Sequence, residues 1–204
     1  MKLEQIAVQT FAYKKVSLEH MAESLHGAGV KNFEFYAAAP HYCHYADFPA
    51  TAEEIRALDA RIHGLCAEYG LTMSCFAPES ADYPINIASE NPELREKSVR
   101  YFLDYLDDLA ALGCDQLMLT SGWDYFDRDK MAAWRRSVKS LRRIAARAEE
   151  LGVRLLLRPV SKFSTNLVHD LPSLTRMLFE VGSDSLYACI DVANLAENGE
   201  TIAD

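Results

Sequence analysis

Five times along the chain a helical stretch stops at a glycine, and within one to about four residues a short apolar run begins. Such runs, bounded by turn residues and lacking a polar face, read as strands covered on both sides. They fall at residues 6–11, 32–36, 71–76, 116–120, 153–157 and 186–191. The stretches between them follow the three-four apolar spacing of crossover helices. Five helices alternating with six strands make an α/β fold on a parallel sheet.

The helix starts are marked by side chains able to satisfy free backbone N–H groups. Ser17 precedes Leu18, Met21, Ala22 and Leu25. Thr51 and Glu54 form a capping box before Ile55, Leu58, Ile62 and Leu65. Asn91 with Pro92 opens the third helix, whose stripe is Phe102, Leu106 and Leu109. The fourth buries Met131, Trp134, Val138, Leu141 and Ala145, and the fifth follows Asp170 and Pro172.

The connections are lopsided. Links from strand to helix are long, at residues 37–50, 77–90, 121–129 and 159–169. In a (β/α)8 barrel these loops share one face, the functional one. A doubly wound sheet is the competing arrangement. It is disfavoured because the first strand-to-helix turn, residues 10–15, has no glycine, and no dinucleotide fingerprint or P-loop occurs.

A formal net charge of -9 argues against nucleic acid or an anionic membrane as partner. No apolar run approaches the length of a membrane span, and the start does not read as a secretory signal. Cys43, Cys66, Cys75, Cys114 and Cys189 are scattered and odd in number, which reads as reduced thiols in a cytoplasmic protein.

The residues able to carry chemistry sit at strand ends and in the long loops. Glu34 alternates with Phe33 and Phe35, so it faces away from those rings, as a substrate ligand or a paired buried acid. His41 lies in the long loop at residues 37–50, with His44 three residues on. Glu79, Asp82, Tyr83 and Asn86 follow the third strand, and Trp123, Asp124 and Tyr125 follow the fourth. Carboxylates and amides suit hydroxyl groups, and rings suit the apolar face of a sugar; ordinary polar loops remain the alternative. Arg158 ends the fifth strand and begins a polar loop that reaches Asn166, and Asp191 ends the sixth. The basic run from Arg135 to Arg147 reads as a solvated helix face.

In order and spacing, Phe33-Glu34-Phe35-Tyr36, Pro40-His41, Pro78-Glu79-Ser80 with Tyr83-Pro84, residues 159–166, and Ile190-Asp191 resemble the xylose isomerase-like barrel family of sugar isomerases and epimerases. Within it the similarity is to ketose 3-epimerases of the fructoselysine type. The resemblance implies a TIM barrel and a divalent ion such as manganese, held by Glu, Asp, His and Glu from strands five to eight. Two of those glutamates would move a proton beside the substrate carbonyl. In this sequence the strand-five glutamate is matched by Arg158, a permanent cation. The second strand-five acid is matched by Ser164, and a histidine by Asn194, which leaves Asp191 as the one matching metal ligand.

The resulting expectation is a single domain, residues 1–204, forming an incomplete barrel truncated after strand six, with a homodimer covering its open edges. No catalytic residue is assigned. The protein is expected to bind a sugar or phosphosugar through Glu34, His41, Glu79, Tyr83, Trp123, Arg158 and Asn166, with a divalent metal weak or absent at Asp191. The alternative is an active metal-dependent sugar-phosphate isomerase or epimerase, completed by further C-terminal residues or by a partner chain. A DNA-repair endonuclease of the same barrel type would need a histidine-rich zinc cluster and a basic surface, neither of which this sequence offers.

Overall fold

The computed structural model describes residues 5–44, 51–81 and 84–203. Its strands are β1 (Ala7–Gln9), β2 (Asn32–Ala37), β3 (Thr72–Pro78), β4 (Gln116–Leu119), β5 (Arg154–Leu157) and β6 (Leu186–Ala188). The helices are α1 (Leu18–Gly27), α2 (Ala52–Tyr69), α3 (Pro92–Leu112), α4 (Met131–Leu151), α5 (Leu171–Val181) and α6 (Val192–Asn198). The strands form one sheet in chain order, β1 to β6. The pairs β1–β2, β2–β3, β3–β4 and β5–β6 are parallel.

Contacts divide the chain into two compact units. The first is Met1–Glu79 with Asp107–Leu117, and the second is Ser80–Leu106 with Met118–Asp204. In the first, β2 alternates as expected: Phe33 and Phe35 are fully buried, while Glu34 and Tyr36 face the other way, half-buried. The two rings join Phe76 of β3 and Tyr42 of the following loop in one aromatic cluster, with Tyr42 and Phe76 centroids 5.5 Å apart. Leu18, Met21, Ala22 and Leu25 of α1 are buried, and Ser17 caps that helix by accepting from the His20 N–H at 3.2 Å. On α2 the expected line of Ile55, Leu58, Ile62 and Leu65 is only partly buried; the two residues fully out of water are Ile62 and Asp59.

The second unit is built around α4. Ala133, Trp134, Ser137, Val138, Leu141, Ile144, Ala145 and Ala148 form a continuous buried face, and Met131 is half-buried. Trp134 keeps its indole N–H satisfied by donating to Glu180 Oε2 at 2.8 Å. Asp170 caps α5 through a capping box with Ser173, and Pro172 lies in its first turn.

Three expectations about the elements are corrected. The first strand is shorter than residues 6–11: from Thr10 to Tyr13 the backbone turns into a 3-10 helix, where the buried Thr10 hydroxyl accepts the Tyr36 N–H at 2.9 Å. The sixth strand ends at Ala188, three residues before Asp191. A sixth helix follows, because the Asp191 carboxylate accepts the Ala193 and Asn194 N–H groups and starts α6. Asp191 is therefore a helix cap and not a strand residue.

Candidate functional site

The first unit gathers polar side chains on one face of β1 to β3. Gln9 pairs in register with Glu34, and its amide donates to the Glu34 carboxylate. Two residues along β2, on the same face, the Tyr36 phenol donates to the Glu79 carboxylate. Burial, then the hydrogen bond to Glu79 and its charge, push the phenol well above its ordinary range, so Tyr36 stays a neutral donor. Neither Gln9 nor Tyr36 was singled out by sequence reasoning. Tyr36 could have been found from its period-2 relation to Glu34; Gln9 could not. His41 is buried, 6% exposed, and its Nε2 donates to the Val16 carbonyl at 2.5 Å. That bond ties the β2–α2 loop to the chain just before α1. Tyr83 lies outside the described residues.

In the second unit the segment after β4 is clamped by two amides. Asn86 Nδ2 donates to the Trp123 carbonyl at 2.9 Å, and Asn86 Oδ1 accepts the N–H of Trp123 at 3.2 Å and of Ala88 at 3.0 Å. Asn166 Oδ1 accepts the Asp124 N–H at 3.0 Å, and its Nδ2 donates to the Tyr125 carbonyl at 3.2 Å. Arg136 adds an ion pair to Asp124 at 3.1 Å and donates to the Ala88 carbonyl at 2.7 Å. Asn166, expected to meet substrate, here commits both ends of its amide to backbone. The clamps present Trp123 and Tyr125 as an edge-to-face pair with centroids 6.5 Å apart. They line a groove of about 590 Å³ with Pro84, Asn86, Ser89 and Asp124, within the usual size range for small-ligand sites. The Trp123 indole N–H is buried without a partner among the described residues.

At the carboxyl end of β5, Arg158 donates its backbone N–H to the Leu119 carbonyl at 3.0 Å and its Nη2 to Asp191 Oδ2 at 2.6 Å. The Arg158 side chain is 35% exposed and that of Asp191 24%. Asp191 Oδ1 accepts from Ala193 N at 3.0 Å and Asn194 N at 3.3 Å. Burial alone would raise the Asp191 carboxyl. The Arg158 hydrogen bond and charge, with the two cap N–H groups, outweigh it and hold the carboxyl below the usual carboxylate range.

These residues do not fit a divalent ion. Both Asp191 oxygens are engaged, one by a cation that would repel the ion. Asn194, 6% exposed, buries an unpartnered Nδ2 nearby in α6, but an N–H donor is not a metal ligand. Among the described residues no group of three His, Cys, Asp or Glu side chains could hold a metal ion.

Comparison with known proteins places these features in context. The xylose isomerase-like TIM barrel family matches residues 22–204. Fructoselysine 3-epimerase of Escherichia coli O157:H7 is 20% identical over 184 residues, which is 90% of this chain and 64% of that protein. D-psicose 3-epimerase of Ruminiclostridium cellulolyticum is 27% identical over 147 residues, 70% of this chain and 48% of that protein. The crystal structure of D-psicose 3-epimerase with D-tagatose from Clostridium cellulolyticum H10 has the same fold, with TM-score 0.78 at 20% identity, covering 96% of this chain and 66% of that one. The chain thus spans just under two thirds of the length of the fructoselysine 3-epimerase it matches.

Proposed function

The chain belongs to the xylose isomerase-like TIM barrel family, and from that premise we propose that it binds a sugar or phosphosugar without the family's metal-assisted proton transfer. The observation that carries this reading is the Arg158–Asp191 ion pair at 2.6 Å. It puts a permanent cation, held in a fixed orientation by a carboxylate, where the family resemblance implies a metal-ligating glutamate. Only one of the guanidinium's N–H groups meets Asp191. The others remain for a ligand oxygen, with a carboxylate or phosphate ester the strongest acceptor. In the same unit Trp123 and Tyr125 offer ring faces to a sugar, and Asn166 keeps that segment in place. The first unit carries its own hydroxyl-binding face in Glu34 and Glu79, with His41 fastening the adjacent loop.

The experiment is calorimetry with three titrants: manganese, fructose and fructose 6-phosphate. The expected outcome is no manganese binding tighter than roughly micromolar, and preference for the phosphate ester that disappears in Arg158→Ala. Tight manganese binding by the unaltered chain sinks the reading.

A second reading is an active metal-dependent isomerase or epimerase whose remaining groups come from elsewhere, in further residues or in a partner chain. The coverage of 64% of the matched epimerase favours it. Manganese-dependent turnover of ketose phosphates, abolished by Asp191→Asn, would establish it. We also propose a homodimer, to be checked by sedimentation, and a cytoplasmic setting for the free thiols of Cys43, Cys66, Cys75, Cys114 and Cys189. Among the described residues no helix is long and apolar enough to cross a membrane, and the charge of -9 disfavours nucleic acid.

A further inference from the structure

Along the solvent-facing side of α4 and α5 the second unit carries a groove that the sugar-binding reading does not use. It encloses about 790 Å³, lined chiefly by Arg135, Val138, Lys139, Arg142 and Ala146 of α4 with Phe179 of α5. The α4 positions step by three or four residues, so they form a single stripe, about 16 Å long from 135 to 146 at about 1.5 Å per residue. Val138 is buried at its base. Phe179 is 85% exposed, the most exposed large apolar side chain among the described residues. The two helices are pinned beside it. The Trp134 indole donates to Glu180 Oε2 at 2.8 Å, and Arg142 donates to the Glu180 and Val181 carbonyls at 2.5 and 3.2 Å.

The charge of the groove runs against that of the chain. With 30 acidic and 21 basic side chains, carboxylates are in surplus for pairing. Residues 135–147 nevertheless hold six cations and no acid. Three of the six meet carboxylates: Arg136 with Asp124, Arg143 with Glu96, and Arg147 with Glu150. Arg142 bonds to the backbone carbonyls at the end of α5. Arg135 and Lys139 have neither a hydrogen bond nor an ion pair among the described residues. Both are exposed to water, so the fold does not need a partner for them. What they add, with Arg142, is a positive stripe at positions i, i+4 and i+7, whose neighbours stand about 5–6 Å apart.

Shape decides what such a stripe can hold. A small-molecule site draws convergent groups from several elements and encloses most of its ligand. This groove takes nearly all its lining from one face of one helix, over three turns, and stays open to solvent. A rod of matching periodicity fits it better than a compact ligand. We propose that the α4–α5 groove docks an acidic amphipathic helix of a partner protein, laid along α4. Carboxylates at i, i+4 and i+7 of that helix face Arg135, Lys139 and Arg142, and its apolar residues cover Val138, Ala146 and Phe179. The chain's net charge of -9 repels an acidic helix over the rest of the surface. The cations therefore choose where the partner lands as well as how tightly it holds. Phe179 is the apolar anchor, a ring able to leave water only when a partner covers it.

The probe is a synthetic helical peptide of about 15 residues, with Glu at i, i+4 and i+7 and Leu on the adjoining stripe, titrated into the whole chain by fluorescence anisotropy. A second peptide carries Gln in place of each Glu. The Glu peptide should bind, more weakly as salt rises, and the Gln peptide should bind roughly tenfold less tightly. Arg135→Glu and Lys139→Glu should each weaken the Glu peptide roughly tenfold, and Phe179→Ala should do so by a similar factor. All three side chains are exposed, so the variants should keep the urea midpoint of the unaltered chain. Failure of the Glu peptide to bind, equal affinity for the two peptides, or unchanged affinity in both charge variants overturns the proposal. So does Lys139-dependent binding of inorganic polyphosphate or phosphatidylserine vesicles in place of the peptide, which assigns the groove to phosphate. Self-association of the unaltered chain that is lost in Lys139→Glu assigns it to a second copy and equally overturns the partner helix.

Discussion

Gly122 sits where the chain leaves β4, at φ +75°, and a side chain there has no room. A Cβ built on it would lie 2.5 Å from Asn86 Oδ1, 2.9 Å from Ala88 N and 3.0 Å from Ala88 Cβ. Ala88 N is backbone, and Asn86 is held at both ends of its amide, so neither neighbour yields cheaply. Gly122→Ala should cost about 1–2 kcal/mol for the left-handed backbone and about 1–3 kcal/mol for overpacking. Losing one Asn86 hydrogen bond adds about 1 kcal/mol. The sum is roughly 3–6 kcal/mol. Gly152, in the same unit and at φ +68°, has nothing within 4 Å of its would-be Cβ. Gly152→Ala should therefore show the backbone cost alone, about 1–2 kcal/mol. Urea denaturation of both variants, compared through midpoint and slope, isolates the close approach from the backbone strain. Equal destabilisation of the two would refute the argument that the Asn86 clamp is rigid.

Two further outcomes follow from the carboxylates of the second unit. Arg158→Ala should lower stability at neutral pH by about 1–2 kcal/mol, since the pair is partly exposed. Asp191 is depressed in the folded chain, so its contribution is present above about pH 4 and lost as pH falls. The variant's acid-unfolding curve should accordingly be shallower than that of the unaltered chain, and parallel curves would count against the pair. Asp170→Ala removes the capping box of α5 and should cost about 1 kcal/mol at neutral pH. Burial raises the Asp170 carboxyl, but the Ser173 hydroxyl and N–H lower it more, so the deficit should shrink as pH falls below about 4; a pH-independent deficit would deny the cap its charge.

The order and kind of elements were legible because each is specified locally. Caps at Ser17, Thr51, Asn91 and Asp170 act within three residues of themselves, and the alternation of Phe33, Glu34 and Phe35 is a property of β2 alone. What could not be read is polar pairing over distance. Nothing local in the sequence marks Asp59 as buried, and only its partners, Tyr42 at a separation of 17 residues and Asp108 beyond it, explain its burial. Asn86 and Asn166 raise the same difficulty. An amide in a long loop has the same composition whether it meets a ligand or a neighbouring backbone, and here both meet backbone 37 to 42 residues away.

Arg158 was legible as a break in the family pattern, but its effect on Asp191 was not. Read from the sequence, Asp191 is the one surviving metal ligand. In the structure, Arg158 occupies one oxygen of Asp191, and the second oxygen is committed to the start of α6. If the resemblance sets Arg158 at a carboxylate position, one arginine accounts for both positions at once. Arg158→Glu would free only Asp191 Oδ2, since Oδ1 stays with the start of α6, and would set two carboxylates side by side. A divalent ion usually needs more donors than that, so that change alone should leave manganese affinity weak.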